Sequence, residues 1–92
     1  MTILNIHGYQ GSPKNSAYTA LCDIGCKNII SPSIDYDSEE PDNIIGRLNM
    51  LRVEHNVDLV VGTSLGGFYA SVLSARHNLP VMLVNPCLLP FL

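Results

Sequence analysis

One stretch of the chain, DLVVGTSLGGFYA at residues 58–70, constrains the fold more than any other. Its short run of β-branched residues predicts a strand, and the residues from Leu65 onward predict a helix. Between the two lies Ser64, packed among glycines. A turn of this composition either needs small residues for packing alone or holds the serine up as a nucleophile.

Strand and helix signals alternate along the whole chain. Strands are predicted over Thr2–Ile6, 28–31, 58–62 and 81–85, and helices after Ser12–Pro13, from Pro41 to about Asn56, and over Leu65–His77. Such alternation predicts an α/β fold, a parallel sheet of about four strands in the order 2-1-3-4 with helices on both faces. Ligands of such sheets bind beyond the carboxyl ends of the strands.

Local signals predict where the helices begin and end. Ser12 followed by Pro13 is typical of a helix N-cap and first turn, and Gly25 is typical of a helix end. Pro41 can open the second helix, whose apolar stripe consists of Ile44, Ile45, Leu48 and Leu51.

Composition limits the size of the fold and the class of partner. Ninety-two residues make a single small domain, and only 14% of them are charged, against about 25% in ordinary proteins. Much of the surface is therefore expected to be covered. A net charge of -3 gives no basic footprint, so we expect no nucleic-acid partner. Since no apolar run approaches the roughly 18 residues of a membrane helix, we expect no membrane partner either.

The cysteines and the amino terminus bear on localisation. Three cysteines are an odd number with no disulfide framework, which favours buried thiols in a reducing cytoplasm. Cys22 and Cys26 are spaced for one helical face rather than for a zinc knuckle, so no metal site is expected. The first residues lack the basic region of a signal peptide. A cytoplasmic location is the prediction.

The serine turn satisfies the pattern G-x-S-x-G in the strand-to-helix context that supports a nucleophile elbow. Side chains at Gly62 and Gly66 would collide with the preceding strand and the following helix, and Gly67 keeps that helix close to the sheet. The turn also puts Ser64 at a helix amino terminus, where the backbone N–H of Leu65 is a candidate oxyanion donor.

A second glycine-rich turn, HGYQGS, follows the first strand. In a hydrolase with a serine elbow, this position supplies the other oxyanion N–H. We expect that donor to be the backbone of Tyr9, with Gln10 as the neighbouring choice. Gly8 allows the loop to fold across the serine. The His7 side chain is either a hydrogen-bonded structural residue, which is the commoner case, or a base.

Three motifs together resemble the small bacterial α/β-hydrolases of the YqiA/YcfP-like esterase family. They are His7-Gly8 with Ser12-Pro13, the elbow GTSLGGF at residues 62–68, and Asn85-Pro86 with Pro90. The resemblance covers the whole chain with the motifs in the right order. It implies an α/β-hydrolase fold, Ser64 as nucleophile, and hydrolysis of a small acyl ester without metal or organic cofactor.

The chain departs from this family in its catalytic acid and base. In the α/β-hydrolase fold the triad runs Ser, then Asp or Glu, then His. Only 28 residues follow Ser64; none is acidic, and the sole histidine, His77, falls late in the third helix. We therefore expect residues 1–92 to be a partial domain, the amino-terminal portion of a longer hydrolase. Asp35 and Asp37 follow the second strand and either border the site or belong to a solvated acidic loop, which is the commoner case. His55 falls at a helix end, where a cation suits the helix dipole, and is not expected to be catalytic.

Two functional hypotheses of different classes remain open. One is a serine esterase or related acyl hydrolase, of which this chain carries the nucleophile. The other is a non-catalytic hydrolase remnant that binds a ligand or partner or associates with itself. Phosphate or nucleotide binding is a weaker third reading, because the elbow has neither the Walker lysine nor G-x-G-x-x-G spacing.

The predicted strand order places residues 81–84 at an edge of the sheet. This strand is apolar and has no charge to prevent pairing with another chain. The apolar tail at residues 87–92 adds to the same surface, and monomers rarely leave such a surface open. The pattern predicts a homo-oligomer, most simply a two-fold dimer, or a tail that folds back over the edge.

Overall fold

The computed structural model describes residues 1–87. Four strands and three helices alternate along this part of the chain: β1 Thr2–Ile6, α1 Ser16–Asp23, β2 Asn28–Ile30, α2 Pro41–Glu54, β3 Leu59–Thr63, α3 Leu65–His77 and β4 Val81–Val84. The strands form one parallel sheet in the order β2-β1-β3-β4. The predicted α/β class and strand order are confirmed.

Helices pack on the two faces of the sheet because alternate strand residues point in opposite directions. On one face, Leu4, Ile6 and Val60 pack with buried residues of α2 and α3, including Leu48 and Leu73. On the other face, Ile3 and Val61 pack with Leu21 of α1. The core is thus split by the sheet, and the apolar stripe of α2 contributes its fully buried residues, Ile44 and Leu48.

The start of α1 differs from the sequence-based expectation. The helix begins at Ser16, and its N-cap is Asn15, whose side chain accepts from the N–H of Tyr18; Ser12 and Pro13 precede the helix. The reason is a long-range contact. The buried side chain of Asn5 donates to the Asn15 side-chain oxygen at 3.1 Å, which holds Asn15 in the capping position.

Other boundaries differ by one or two residues. β2 ends at Ile30 and β4 at Val84, while β3 is shifted to end at Thr63. Ser31, which was expected in β2, uses its hydroxyl to donate to the carbonyl of Pro13 instead. Gly25 follows α1 with φ +95°, as expected for a glycine beyond a helix end.

β4 lies at one end of the sheet in the described part of the chain. Three of its four residues are exposed: Val81 by 37%, Met82 by 51% and Val84 by 36%. Met82 and Val84 also line an open apolar groove of about 200 Å³ against α1. Residues 88–92, which include most of the apolar tail, lie outside the described residues. Across residues 1–87, no helix has the length and apolar character to span a membrane.

Candidate active site

Ser64 occupies a strained turn at the carboxyl edge of the sheet. It is the residue between β3 and α3, and its φ of 54° and ψ of -120° lie outside the regions that non-glycine residues ordinarily adopt. Such a conformation costs about 1–3 kcal/mol and persists only where the surroundings enforce it. The residue is exposed. The turn therefore holds the serine hydroxyl outward at the end of the strand.

Close backbone packing enforces the turn. A Cβ added to Gly66 would be 2.2 Å from the Ile6 carbonyl oxygen, and one added to Gly62 would be 2.4 Å from the Gly66 carbonyl oxygen. Both distances are far too short for any side chain. The glycines at these positions let α3 start directly against the ends of β1 and β3, as the sequence predicts.

The segment around β4 fixes the backbone of Ser64 from the other side. The N–H of Ser64 donates to the Val84 carbonyl at 2.9 Å, and the Ser64 carbonyl accepts from the N–H groups of Gly67 and Cys87. Pro86 packs on Gly67, where a Cβ would be 2.8 Å from the proline Cβ. The Asn-Pro segment after β4 thus supports the elbow, a contact that sequence inspection did not identify.

The turn after β1 lies directly against Ser64. A Cβ on Gly8 would be 2.9 Å from the Ser64 Cβ and 3.5 Å from its Oγ. The carbonyl of Gly8 accepts from the N–H of Gly11 at 3.0 Å, which closes a tight turn with Gln10 at φ 57°. The short distances between Gly8 and Ser64 place the two glycine-rich turns side by side. Within residues 1–87, no hydrogen bond from the Tyr9 N–H to another residue is found.

Leu65, the residue after the serine, begins α3. The first N–H groups of a helix have no partner within the helix, and they carry its partial positive charge. The N–H of Leu65 is therefore one candidate oxyanion donor. The N–H of Tyr9, in the neighbouring glycine-rich turn, is the other, with Gln10 next in that turn. The geometry brings their loops together at one edge of the sheet.

His7 is a structural residue in this arrangement. It is 1% exposed. Its Nε2 accepts from the N–H of Ile34 at 2.9 Å, so the proton is on Nδ1, which donates to the Gly8 carbonyl at 2.7 Å. With both ring nitrogens engaged, His7 does not serve as a base toward Ser64. The structural reading of His7 is confirmed.

The other histidines lie far from Ser64. His77 ends α3, a helix of 13 residues that starts beside the serine, so about 20 Å of helix separates the two. His55 caps the carboxyl end of α2, which precedes β3 and therefore lies at the opposite edge of the sheet. Neither imidazole reaches the serine.

Two residues of the segment between β2 and α2, Tyr36 and Asp37, have contacts that their sequence does not reveal. The hydroxyl of Tyr9 donates to Asp37 at 2.6 Å. This hydrogen bond, together with the carboxylate charge, raises the pKa of the Tyr9 phenol. The hydroxyl of Tyr36 donates to the carbonyl of His7. Asp37 thus borders the first turn, as one of the two readings of that loop allowed. No local sequence pattern indicated the contact between Tyr36 and His7.

A parallel sheet with a strained, exposed serine between β3 and α3 defines the α/β-hydrolase class. Within that superfamily, the chain belongs to the family described as Uncharacterised protein family (UPF0227), which it matches over residues 2–92. This is the YqiA/YcfP family, an esterase family. Membership confirms the resemblance given by the three motifs and is consistent with a hydrolase.

Proposed function

We propose that the chain carries the nucleophile of a serine esterase that hydrolyses small carboxylic esters. The observation that carries this proposal is the backbone of Ser64, held at φ 54° and ψ -120° with the residue exposed. A glycine at position 64 would adopt the same turn without this conformational cost, so packing alone does not explain the serine. Display of a hydroxyl group at a helix amino terminus does explain it.

The proposed reaction passes through an acyl-enzyme. The Ser64 Oγ attacks the ester carbonyl carbon and gives up its proton, and the carbonyl oxygen becomes an oxyanion. Backbone N–H groups of Leu65 and of Tyr9 or Gln10 would stabilise that charge. The C–O bond to the alcohol then breaks, the alcohol leaves with a proton, and water hydrolyses the acyl-serine to release the acid.

The proposal takes the general base and its carboxylate partner from outside residues 1–87. Within those residues, His7 has both ring nitrogens bonded, and His55 and His77 end helices that carry them away from the serine. Without a base, Ser64 keeps its proton and the oxyanion donors alone give only residual acceleration. The 92-residue chain by itself is therefore expected to react slowly.

Covalent labelling tests the proposal in the 92-residue chain. An alkyl fluorophosphonate, followed by intact mass and peptide mapping, should add one label slowly and at Ser64. Ser64→Ala should abolish the label, while Ser38→Ala, a change at an exposed loop serine, should leave it unchanged. Labelling of Ser64→Ala at the wild-type rate excludes Ser64 as the nucleophile.

A second proposal, self-association through β4, rests on a separate observation. The strand has exposed apolar side chains and, within the described residues, pairs with β3 along one side only. An open, uncharged edge of this kind pairs readily with a second copy. Self-association through β4 does not depend on Ser64. It is therefore compatible both with a non-catalytic role and with an oligomeric enzyme.

A further inference from the structure

One short segment, residues 34–37, holds the glycine-rich turn that lies against Ser64. We term this segment the support loop. Ile34 donates its N–H to the His7 ring, Tyr36 donates its hydroxyl to the His7 carbonyl, and Asp37 accepts from the Tyr9 hydroxyl. These three hydrogen bonds join residues 27 to 29 positions apart. They all end on the two residues that flank Gly8.

Tyr36 is the most constrained member of the support loop. Its ring stacks on Tyr69 with centroids 5.8 Å apart, and it meets the His7 ring edge-on at 5.7 Å. Burial raises the pKa of the Tyr36 phenol well above its usual value. The hydroxyl therefore stays protonated, and remains a hydrogen-bond donor, throughout the physiological pH range.

The contact with the His7 carbonyl controls the loop through the geometry of the peptide unit. A trans peptide is planar, so fixing the His7 carbonyl oxygen fixes the N–H of Gly8 and the start of the turn. Gly8 has no side chain and by itself allows many backbone conformations. The turn thus depends on contacts from outside to keep one conformation beside Ser64.

We propose that Tyr36 is a positioning residue, which holds the Gly8–Gln10 turn so that its backbone N–H groups stand ready for an oxyanion formed at Ser64. This role rests on the proposed esterase function. Oxyanion donors act only when they are preorganised, because moving them during the reaction costs the energy they should supply. Within residues 1–87, the hydrogen bond and ring contacts of Tyr36 are made to His7 and Tyr69 rather than to Ser64, so Tyr36 acts through His7.

The test compares Tyr36→Phe with Tyr69→Phe in the 92-residue chain. Each change removes one hydroxyl from the same stacked pair, but only the Tyr36 hydroxyl bonds to His7. The first readout is the NMR chemical shift of the Tyr9 and Gln10 amides together with hydrogen exchange at Gly11. The second is the rate of Ser64 phosphonylation, and thermal unfolding of both variants is measured alongside.

For Tyr36→Phe we expect shifted Tyr9 and Gln10 amides, faster exchange at Gly11, and phosphonylation slowed by about 10- to 100-fold. Tyr69→Phe should stay within about twofold of the wild-type rate, because the donors remain in place. Tyr36→Phe with wild-type amide shifts and a wild-type labelling rate overturns the proposal, as does a rate change that merely follows thermal stability in both variants.

Two further outcomes separate this inference from the proposed function. If wild-type Ser64 is never labelled but Tyr36→Phe still shifts the Tyr9 amide, the positioning of the turn stands and the esterase proposal fails. If Tyr36→Phe does not fold, Tyr9→Phe replaces it, because it removes the exposed bond to Asp37 and should slow labelling to a smaller extent. Unchanged labelling and unchanged Gln10 and Gly11 amides in that variant overturn control by the support loop.

Discussion

Gly66, in the first turn of α3, lies directly against the carbonyl of Ile6 at the end of β1. A methyl group on Gly66 would come within 2.2 Å of that carbonyl oxygen and 2.6 Å of the His7 carbonyl oxygen. Backbone atoms on both sides leave no flexible group to move away. This contact couples the start of the helix after Ser64 to the strand before the His7-Gly8 turn.

Gly66→Ala is therefore expected to destabilise the protein by about 3 kcal/mol or more, since strand and helix must separate. The matched control is Gly46→Ala in α2, where an added Cβ meets nothing within 4 Å. That change should raise the free energy of unfolding by about 0.5–1 kcal/mol, because alanine favours the helix. Urea denaturation measures both. Equal effects of the two substitutions would contradict the packing described for the elbow.

Gly8→Ala should affect reactivity more than stability. Its Cβ would be 2.9 Å from the Ser64 Cβ and 3.1 Å from the Thr63 carbonyl, so the turn must move away from the serine. If this turn carries an oxyanion donor, phosphonylation of Ser64 should slow by about tenfold or more. Gly46→Ala provides the wild-type-like reference. An unchanged labelling rate in Gly8→Ala would argue against an oxyanion donor in this turn.

The half-buried Tyr36 phenol predicts loss of stability at alkaline pH. Its pKa is raised in the folded state, while the unfolded chain releases the proton near pH 10. Above about pH 10 the unfolded state binds fewer protons, so this group lowers the free energy of unfolding by up to about 1.4 kcal/mol per pH unit. Denaturation from pH 8 to 11 should show a shallower fall in Tyr36→Phe, while Gly46→Ala should keep the wild-type slope. A wild-type slope in Tyr36→Phe would contradict this prediction.

Self-association through β4 can be tested with one charge. Met82→Lys places an ammonium group on the exposed edge strand and should keep the protein monomeric. Met50→Lys, at a residue of α2 that is 70% exposed, adds the same charge away from the sheet and should leave association intact. Size exclusion with light scattering at micromolar concentration reports both. A monomeric wild-type protein, or equal behaviour of the two variants, would refute the β4 interface.

Much of this fold was predictable from sequence because its signals are local. The apolar runs and helical stripes fixed the order of the elements, and the bounds of β1 and α3 were predicted to the residue. The turn around Ser64 was also predictable from the sequence. A serine between glycines at a strand-to-helix junction indicates close backbone packing, since only small residues allow α3 to start against β1 and β3.

What the tertiary structure decided depends on residues far apart in the chain. Asn15 rather than Ser12 caps α1, because Asn5 of β1 holds its side chain by a hydrogen bond. His7 is structural because Ile34 binds its Nε2. Tyr36 bonds to the His7 carbonyl only because the segment between β2 and α2 passes beside the turn after β1. Periodicity encodes which side of an element is buried, whereas a single long-range hydrogen bond leaves no pattern in the sequence and arises only when the folded sheet brings its two partners together.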